Sequence, residues 1–488
     1  MSIVNTSIKP NLRQALSLNN KLIYQDIPEC GGEILKKLFK KIFLTLGIEN
    51  ELIYLSNSKL PNLMSGNDFS EAGSSFLNSK IVLAHIDVRY ISVLNPWGVV
   101  TCIRHPISRA ISAIKDINDD TFYEGLHKLY DDKTSKYDSL FYNLYSTNGA
   151  YNINLVPYYC VLVYEELKLS LVNLYDKLGI DYIPPPAYEA FNDRSTSEIK
   201  ELINEDLYND ISNKLNNDIQ IYDQYKNNLI RQLDTPIIIY FNICCINNWE
   251  SIITNIYEKI KISGLYSKIL EIRCIVSAPG CDSVPNHNLF SDCKTKIILF
   301  SSENHGNSFE SIGLDLILRD AQECDDEHYV LYLHSKGVSD RHQNEEAINN
   351  VTCWNNYMLY FLVEHFELAY TRLKEYDAVG VNLNGASHKV YGNKYDNIQQ
   401  YIKINGWGGK EWPYHFSGNF WWSKFSYIRL MNKCDIYYPG AEIWITSGNK
   451  GKYGKFLSLW NAHTDLYNKA YTRDRYEHKQ FQLYEKNN

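Results

Sequence analysis

Three short stretches carry the residues best suited to chemistry. In "YLHSKG" (332–337), an apolar run ends in His334, Ser335, Lys336 and Gly337. An imidazole and an ammonium at a strand end can supply positive charge to an anion without a metal. In "PECGGE" (28–33), Gly31 and Gly32 stand between a β-like run and an amphipathic helix. Backbone N–H groups and a helix N-terminus hold phosphates in such turns. Glu29 and Glu33 put carboxylates where that anion would sit, each repelling it by about 1 kcal/mol when solvated. In "VVTCIRHPISRAIS" (99–112), Arg104 ends a strand and Ser112 lies along the helix that Pro106 starts. A guanidinium and a hydroxyl so placed can grip a terminal phosphate together. Between these two stretches, His85 ends "KIVLAH" in a position suited to a general base.

Elements must deliver those residues. The 488 residues exceed what one core usually supports, so two domains are expected. Both halves alternate strand-like and helix-like patterns, which predicts an α/β fold with largely parallel sheets. In the first half the strands are "KLIYQDI", "KIVLAHI", "VVTCIRH" and "YYCVLVYEEL", and 197–233 reads as helices with polar faces. A buried strand, "IIIYFNICCI", opens the second series, which puts the boundary near Leu233–Thr235. There follow a helix stopped by Ser263–Gly264, strands "EIRCIVSA" and "KTKIILFSS", the helix "SFESIGLDLILRDAQEC" and the strand ending in "HSKG". "DAVGVNL" is a further strand and "HFSGNFWW" a glycine-centred turn.

Composition narrows the classes. A net charge of −8 offers no footprint for nucleic acid or an anionic membrane surface. The 11 cysteines lack CxxC and zinc spacing, and several sit in strand-like runs, as small core hydrophobes do in a reducing compartment. No N-terminal apolar h-region and no membrane-spanning stretch is present, so a cytoplasmic protein is expected. The 39 Tyr and 9 Trp suit sugar binding as well as core packing.

The first half resembles the sulfotransferase superfamily, most closely its carbohydrate 2-O-sulfotransferase-like branch. The resemblance rests on Pro28 to Glu33, His85, Arg104 to Ser112, Glu165 to Ser170, and Asp218 with Tyr222, in that order. It implies a P-loop-like α/β domain binding 3′-phosphoadenosine 5′-phosphosulfate, with His85 catalytic and Gly31, Gly32, Arg104 and Ser112 on the nucleotide. The family's loop lysine, which neutralises the sulfate-bridging oxygen, is Glu29 here, and its threonines are Cys30 and Glu33. The loop's shape is kept and its catalytic charge is lost.

The second half, roughly 237–450, resembles GT-A-type glycosyltransferases marked by a Tyr-Leu-His-Ser-Lys-Gly strand end. "YLHSKG", "WNNYM" (354–358), "HFSGNFWW" (415–422) and "AEIW" (441–444) carry the likeness. It implies a Rossmann-like sheet that binds a nucleotide-sugar donor at the C-terminal ends of its strands, with His334 and Lys336 near the diphosphate. The Asp-x-Asp that usually ends this strand and holds a divalent cation is absent, so no metal is expected. Asp325, Asp326 and Glu327 precede the strand and belong to the opposite edge. The likeness places Gly418 and Asn419 close to the acceptor and gives Glu442 the role of the base of an inverting transfer. His415 is a weaker candidate for orienting the acceptor. Trp421 and Trp422 are the rings that could stack on a sugar, although alternation makes one of them core.

The expectation is therefore a sulfotransferase-like domain over 10–230 followed by a GT-A-like glycosyltransferase domain over 235–488. Its partners would be a nucleotide-sugar donor and a glycan acceptor, such as a surface polysaccharide. The alternatives are an active bifunctional sulfotransferase/glycosyltransferase, or a first domain that only grips an anion or glycan.

Overall fold

In this computed structural model the chain divides into two compact units, 1–231 and 232–488. The residues described are 22–25, 32–46, 52–55, 81–84, 98–105, 108, 146–147, 150–151, 158–185, 209, 212–213, 216–303, 308–339, 344–385, 414–434, 440–447 and 454–487. The architecture is mixed α/β, with a large mixed sheet in the second unit.

The first unit holds β1 (Leu22–Gln25), α1 (Gly32–Leu46), β2 (Leu52–Leu55), β3 (Ile81–Ala84) and β4 (Gly98–Ile103). A two-residue pair, β5 (Ser146–Thr147) and β6 (Ala150–Tyr151), precedes β7 (Tyr158–Val163), α2 (Leu167–Leu178) and α3 (Asn216–Ile230). β1, β2, β3, β4 and β7 form one parallel sheet in the order β2-β3-β1-β4-β7. Parallel strands need both faces covered, which is why these runs are mostly apolar, Gln25 and Thr101 apart. β2, from "ELIYL", was not among the strands expected. Gly179 ends α2 at φ 67°, a left-handed conformation that glycine adopts without penalty.

The second unit begins with β8 (Ile237–Cys244), whose first seven residues are all buried, and α4 (Trp249–Ile262). α5 (Leu265–Lys268), β9 (Ile269–Ser277), β10 (Thr295–Ser301), α6 (Ser308–Glu323) and β11 (Tyr329–His334) follow. α7 (Glu345–Leu359) is capped by Asn344, whose side chain accepts from the Ala347 N–H, and passes through a π turn at Tyr360–Glu364 into α8 (Phe366–Arg372). Then come β12 (Ala378–Gly380), β13 (Leu383–Gly385), β14 (Tyr414–Phe416), β15 (Trp421–Lys424), α9 (Phe425–Ile428), α10 (Gly440–Trp444), β16 (Lys455–Ser458) and β17 (Tyr484–Asn487).

The eight-stranded sheet has the order β10-β9-β8-β11-β15-β12-β16-β17. β10, β9, β8 and β11 are parallel, whereas β15 runs antiparallel between β11 and β12, and β17 antiparallel to β16. The sheet is thus more mixed than expected. "DAVGVNL" is divided: β12 stays in the main sheet, and β13 leaves it to pair with β14. Asn382 lies between the two at φ 52°.

Helices cover both faces of this sheet. Tyr240, Tyr332 and Trp421 point to one face and pack with Leu314, Ile317 and Leu318 of α6. Trp422 points to the other, where its indole N–H donates to the Leu362 carbonyl at 2.8 Å. Leu362 lies in the π turn, where the helical hydrogen-bond ladder is irregular and carbonyls accept such partners.

The turn after β11 lies close under α7. Gly337 has φ 102°, and a Cβ there would stand 2.5 Å from Val351 Cγ1. Both the backbone sign and the contact demand glycine. Gly337→Ala should destabilise the second unit by about 1–3 kcal/mol. Chemical denaturation followed by tryptophan fluorescence checks this, and an unchanged midpoint would contradict the close packing.

Candidate functional site

The chain runs outward from β8 through β9 to β10, then crosses back to place β11 on the other side of β8. Such a reversal leaves a crevice outside the carboxyl ends of the two strands, the usual ligand position in open α/β sheets. Here it lies between the loop after Cys244 and the turn after His334. Ser335 joins the two. Its N–H donates to the Asn242 carbonyl at 3.0 Å, and its hydroxyl accepts from the Cys244 N–H at 2.8 Å. Asn247 Nδ2 adds a bond to the Val338 carbonyl at 2.7 Å.

Lys336 follows, 8% exposed. Its ammonium lies 4.0 Å from the centroid of the Trp354 ring and 5.2 Å from that of Tyr467, with the Tyr467 hydroxyl at 3.4 Å. The two rings meet edge to face at 4.7 Å. No carboxylate among the described residues pairs with this charge. Aromatic faces offset part of its desolvation, since they attract a cation electrostatically. α7 braces the arrangement: Asn355 Nδ2 donates to the Lys336 carbonyl and Asn350 Nδ2 to that of Tyr467, both at 3.0 Å.

His334 turns to the α6 face. Its ring stacks on Tyr332, and Nε2 donates to the Gly418 carbonyl at 2.9 Å. A carbonyl can only accept, so Nε2 carries the proton. In its neutral form His334 offers Nδ1 as an acceptor, suited to a hydroxyl, while the Lys336 ammonium offers only donors.

Beside it lies a network with a single possible orientation. The Trp421 indole N–H can only donate, so Asn419 turns Oδ1 to it at 3.0 Å. The Asn419 amide then points its NH₂ at Glu310 Oε1 (2.6 Å) and at the Ala441 carbonyl (3.2 Å). The Tyr332 hydroxyl donates to the same Glu310 oxygen at 3.1 Å. Burial first, and the Glu310 charge next, hold the Tyr332 phenol well above its ordinary range, so it stays a donor. Glu310 is thereby fixed through one oxygen, and no described residue partners the other.

Several expected roles change. Trp421 and Trp422 are both fully buried, one on each face of the sheet, so neither face is open to a sugar. Alternation assigns them opposite sides, and in this sheet both sides are packed. Gly418, at φ 99°, does approach another group closely, but that group is α7. A Cβ there would stand 2.4 Å from Met358 Sδ and 3.0 Å from Trp354 Nε1. Asn419, 1% exposed, uses its amide on protein partners, and its turn leads into strand β15 rather than a helix. "HSKG", "WNNYM" and "GNFWW" are three sides of one packed unit.

His415 is also buried, with Nε2 3.0 Å from the Ser417 hydroxyl. Glu442, in the first turn of α10, is partly exposed and close enough for its charge to act on His415. Asp325, Asp326 and Glu327 lie exposed before β11, away from the crevice. Among the described residues, no cluster of His, Cys, Asp and Glu is placed to hold a metal. Glu310 and Tyr467 had not been singled out. Glu310 could have been found, because it opens the helix that follows a strand's carboxyl end. Tyr467 lies in irregular chain, where spacing carries no signal.

In the first unit, β1 stands between β3 and β4, so its carboxyl end is also a reversal point. Gly32 begins α1 just beyond. Glu29, Gly31, His85 and Ser112 lie outside the described residues. Arg104 directly follows β4, with its guanidinium 5.0 Å from the Tyr164 ring centroid. The neighbouring His105 N–H donates to Glu165 Oε1 at 2.7 Å, and its ring meets Tyr222 edge to face. Ser170 serves the fold: its hydroxyl accepts from the Val163 N–H at 2.9 Å and returns a bond to the Val163 carbonyl.

Comparison with family models, curated proteins and solved structures gives no match to this chain.

Burial holds His415 below its ordinary value of 6.5, against the opposing charge of Glu442. The unfolded chain then binds a proton that the folded one refuses, so stability contributed above pH 6.5 is lost as pH falls. Thermal melts of the native protein should decline from pH 7 towards pH 5 more steeply than those of His415→Asn. Parallel curves would show that His415 titrates as if exposed.

Proposed function

We propose that the second unit is a glycosyltransferase, moving a sugar from a nucleotide-sugar donor to a glycan hydroxyl. The observation that carries this reading is Lys336. A buried ammonium with no carboxylate partner among the described residues, at the reversal point of an α/β sheet, is the place for a ligand's negative charge. As the acceptor oxygen bonds to the anomeric carbon, the bond from that carbon to the diphosphate breaks. The electron pair leaves with the nucleoside diphosphate, and Lys336 offsets the growing charge. Glu442 takes the acceptor's proton, and the open oxygen of Glu310 and Nδ1 of His334 receive sugar hydroxyls.

Calorimetry with a panel of nucleotide sugars, followed by product analysis, tests this. One donor should bind and turn over. Lys336→Ala should weaken it by about 1.5–3 kcal/mol, and Glu442→Gln should keep binding while losing roughly 10²–10⁴-fold in turnover. A panel with no binding donor, or Lys336→Ala behaving as wild type, would overturn the reading.

For the first unit, the reversal point at β1 beside Arg104 favours a sulfotransferase-like module. We propose that it binds phosphoadenosine-type nucleotides weakly and transfers sulfate poorly or not at all, because Glu29 stands where the family's lysine neutralises the bridging oxygen. Losing one such transition-state contact costs about 10²–10³ in rate. Glu29→Lys should tighten binding of 3′-phosphoadenosine 5′-phosphate, measured by calorimetry. Absence of binding in both forms would leave this unit without a nucleotide site, and rapid sulfate transfer by the native protein would remove the role given to Glu29.

A further inference from the structure

Trp354 is 4% exposed, and its indole Nε1–H has no acceptor among the described residues. An indole N–H can only donate, and a buried donor left unmet is costly, so native proteins rarely retain one without a use. The ring lies on α7 and meets Tyr467 edge to face at 4.7 Å. Its Nε1 lies close to Gly418, where a Cβ would stand 3.0 Å from it. Its face carries the Lys336 ammonium at 4.0 Å. The ammonium is itself short of acceptors, having among the described residues only the Tyr467 hydroxyl at 3.4 Å. Two donors with capacity that no described residue takes up therefore stand near each other, one charged and one neutral, behind a half-buried tyrosine.

We propose that Lys336 and the Trp354 indole N–H form a two-donor subsite for a phosphate oxygen, in which the Tyr467 hydroxyl stands in for the ligand. The proposal rests on the donor reading for its place, and names which groups take the diphosphate. It also makes a distinction that reading does not. The ligating pair lies on the α7 side of the sheet, whereas His334, Glu310 and Asn419 lie on the α6 side. The phosphates and the sugar would accordingly be held on opposite sides of the β11 strand end. Glycine at 418 has a second use here, because any side chain would cover the indole N–H.

Sodium pyrophosphate is the probe, titrated calorimetrically into the full chain, with unfolding midpoints measured alongside. Wild type should bind it and Lys336→Ala should not. Trp354→Phe keeps an aromatic face for Lys336, though a smaller one, and removes the N–H. It should weaken pyrophosphate by roughly ten- to a hundredfold, as for a hydrogen bond to a charged group, while the ligand-free midpoint reports separately the stability lost with the smaller ring. Tyr467→Phe should bind pyrophosphate at least as tightly as wild type, because the hydroxyl it lacks is one the ligand displaces. No binding by wild type overturns the proposal, as does wild-type affinity in Trp354→Phe. Weaker binding in Tyr467→Phe also overturns it, by making that hydroxyl part of the site rather than a substitute for the ligand. If pyrophosphate binds through Trp354 while no nucleotide sugar binds, the subsite stands and the donor reading falls.

Discussion

A lysine ammonium held between two aromatic rings, away from any described carboxylate, sets the terms for the second unit. Burying such a charge costs several kcal/mol in a dry interior, so everything around it has to fix it in place or attract it. α7 does most of this. On one side it presents Asn350, Val351, Trp354, Asn355 and Met358 to the turn after β11, to the turn before β15 and to Tyr467. Two glycines with positive φ, Gly337 and Gly418, let both turns come against that helix. The sheet's reversal between β8 and β11 then puts the charge at a crevice instead of in a core.

The sheet order and the site are linked through short-range bonds. Ser335 extends the β8–β11 pairing by one step and aligns the loops on either side of the crevice. On the α6 face, Asn419 connects Trp421, Glu310 and the α10 backbone, so a core indole determines how a site carboxylate is presented. Packing and chemistry share the same residues here, and few of them could change alone.

Much of this was legible in the sequence, for reasons that can be named. Continuous apolar runs such as "IIIYFNICCI" report strands buried on both faces, and the stop at Ser263–Gly264 matches a glycine at φ 87°. The grouping of "HSKG", "WNNYM" and "GNFWW" was legible as a set, but not as a mutual packing. Periodicity says which way a side chain points relative to its neighbours, not whether the face it points to is covered. That is why Trp421 and Trp422 read as one core residue and one sugar platform, when both are core. The departure of β13 from the main sheet was illegible because it hangs on one residue, Asn382, whose left-handed φ no apolar pattern encodes. Tyr467 reaches Lys336 across 131 positions of chain, a separation that local reasoning does not span.

That separation also orders events during synthesis. The β8–α4–β9–β10 portion contains only near neighbours in sequence and can pair as soon as it leaves the ribosome. β12 must wait for β16, which lies some 75 residues later and is its parallel partner. The residues that close over α7 and the π turn after it, Trp460, Tyr467, Tyr471, Tyr476 and Phe481, come later still. A nascent chain that has emerged only as far as β15 therefore carries Lys336 beside an unroofed helix. The charged centre is made early and enclosed among the last acts of folding, so no partly made chain presents a finished site.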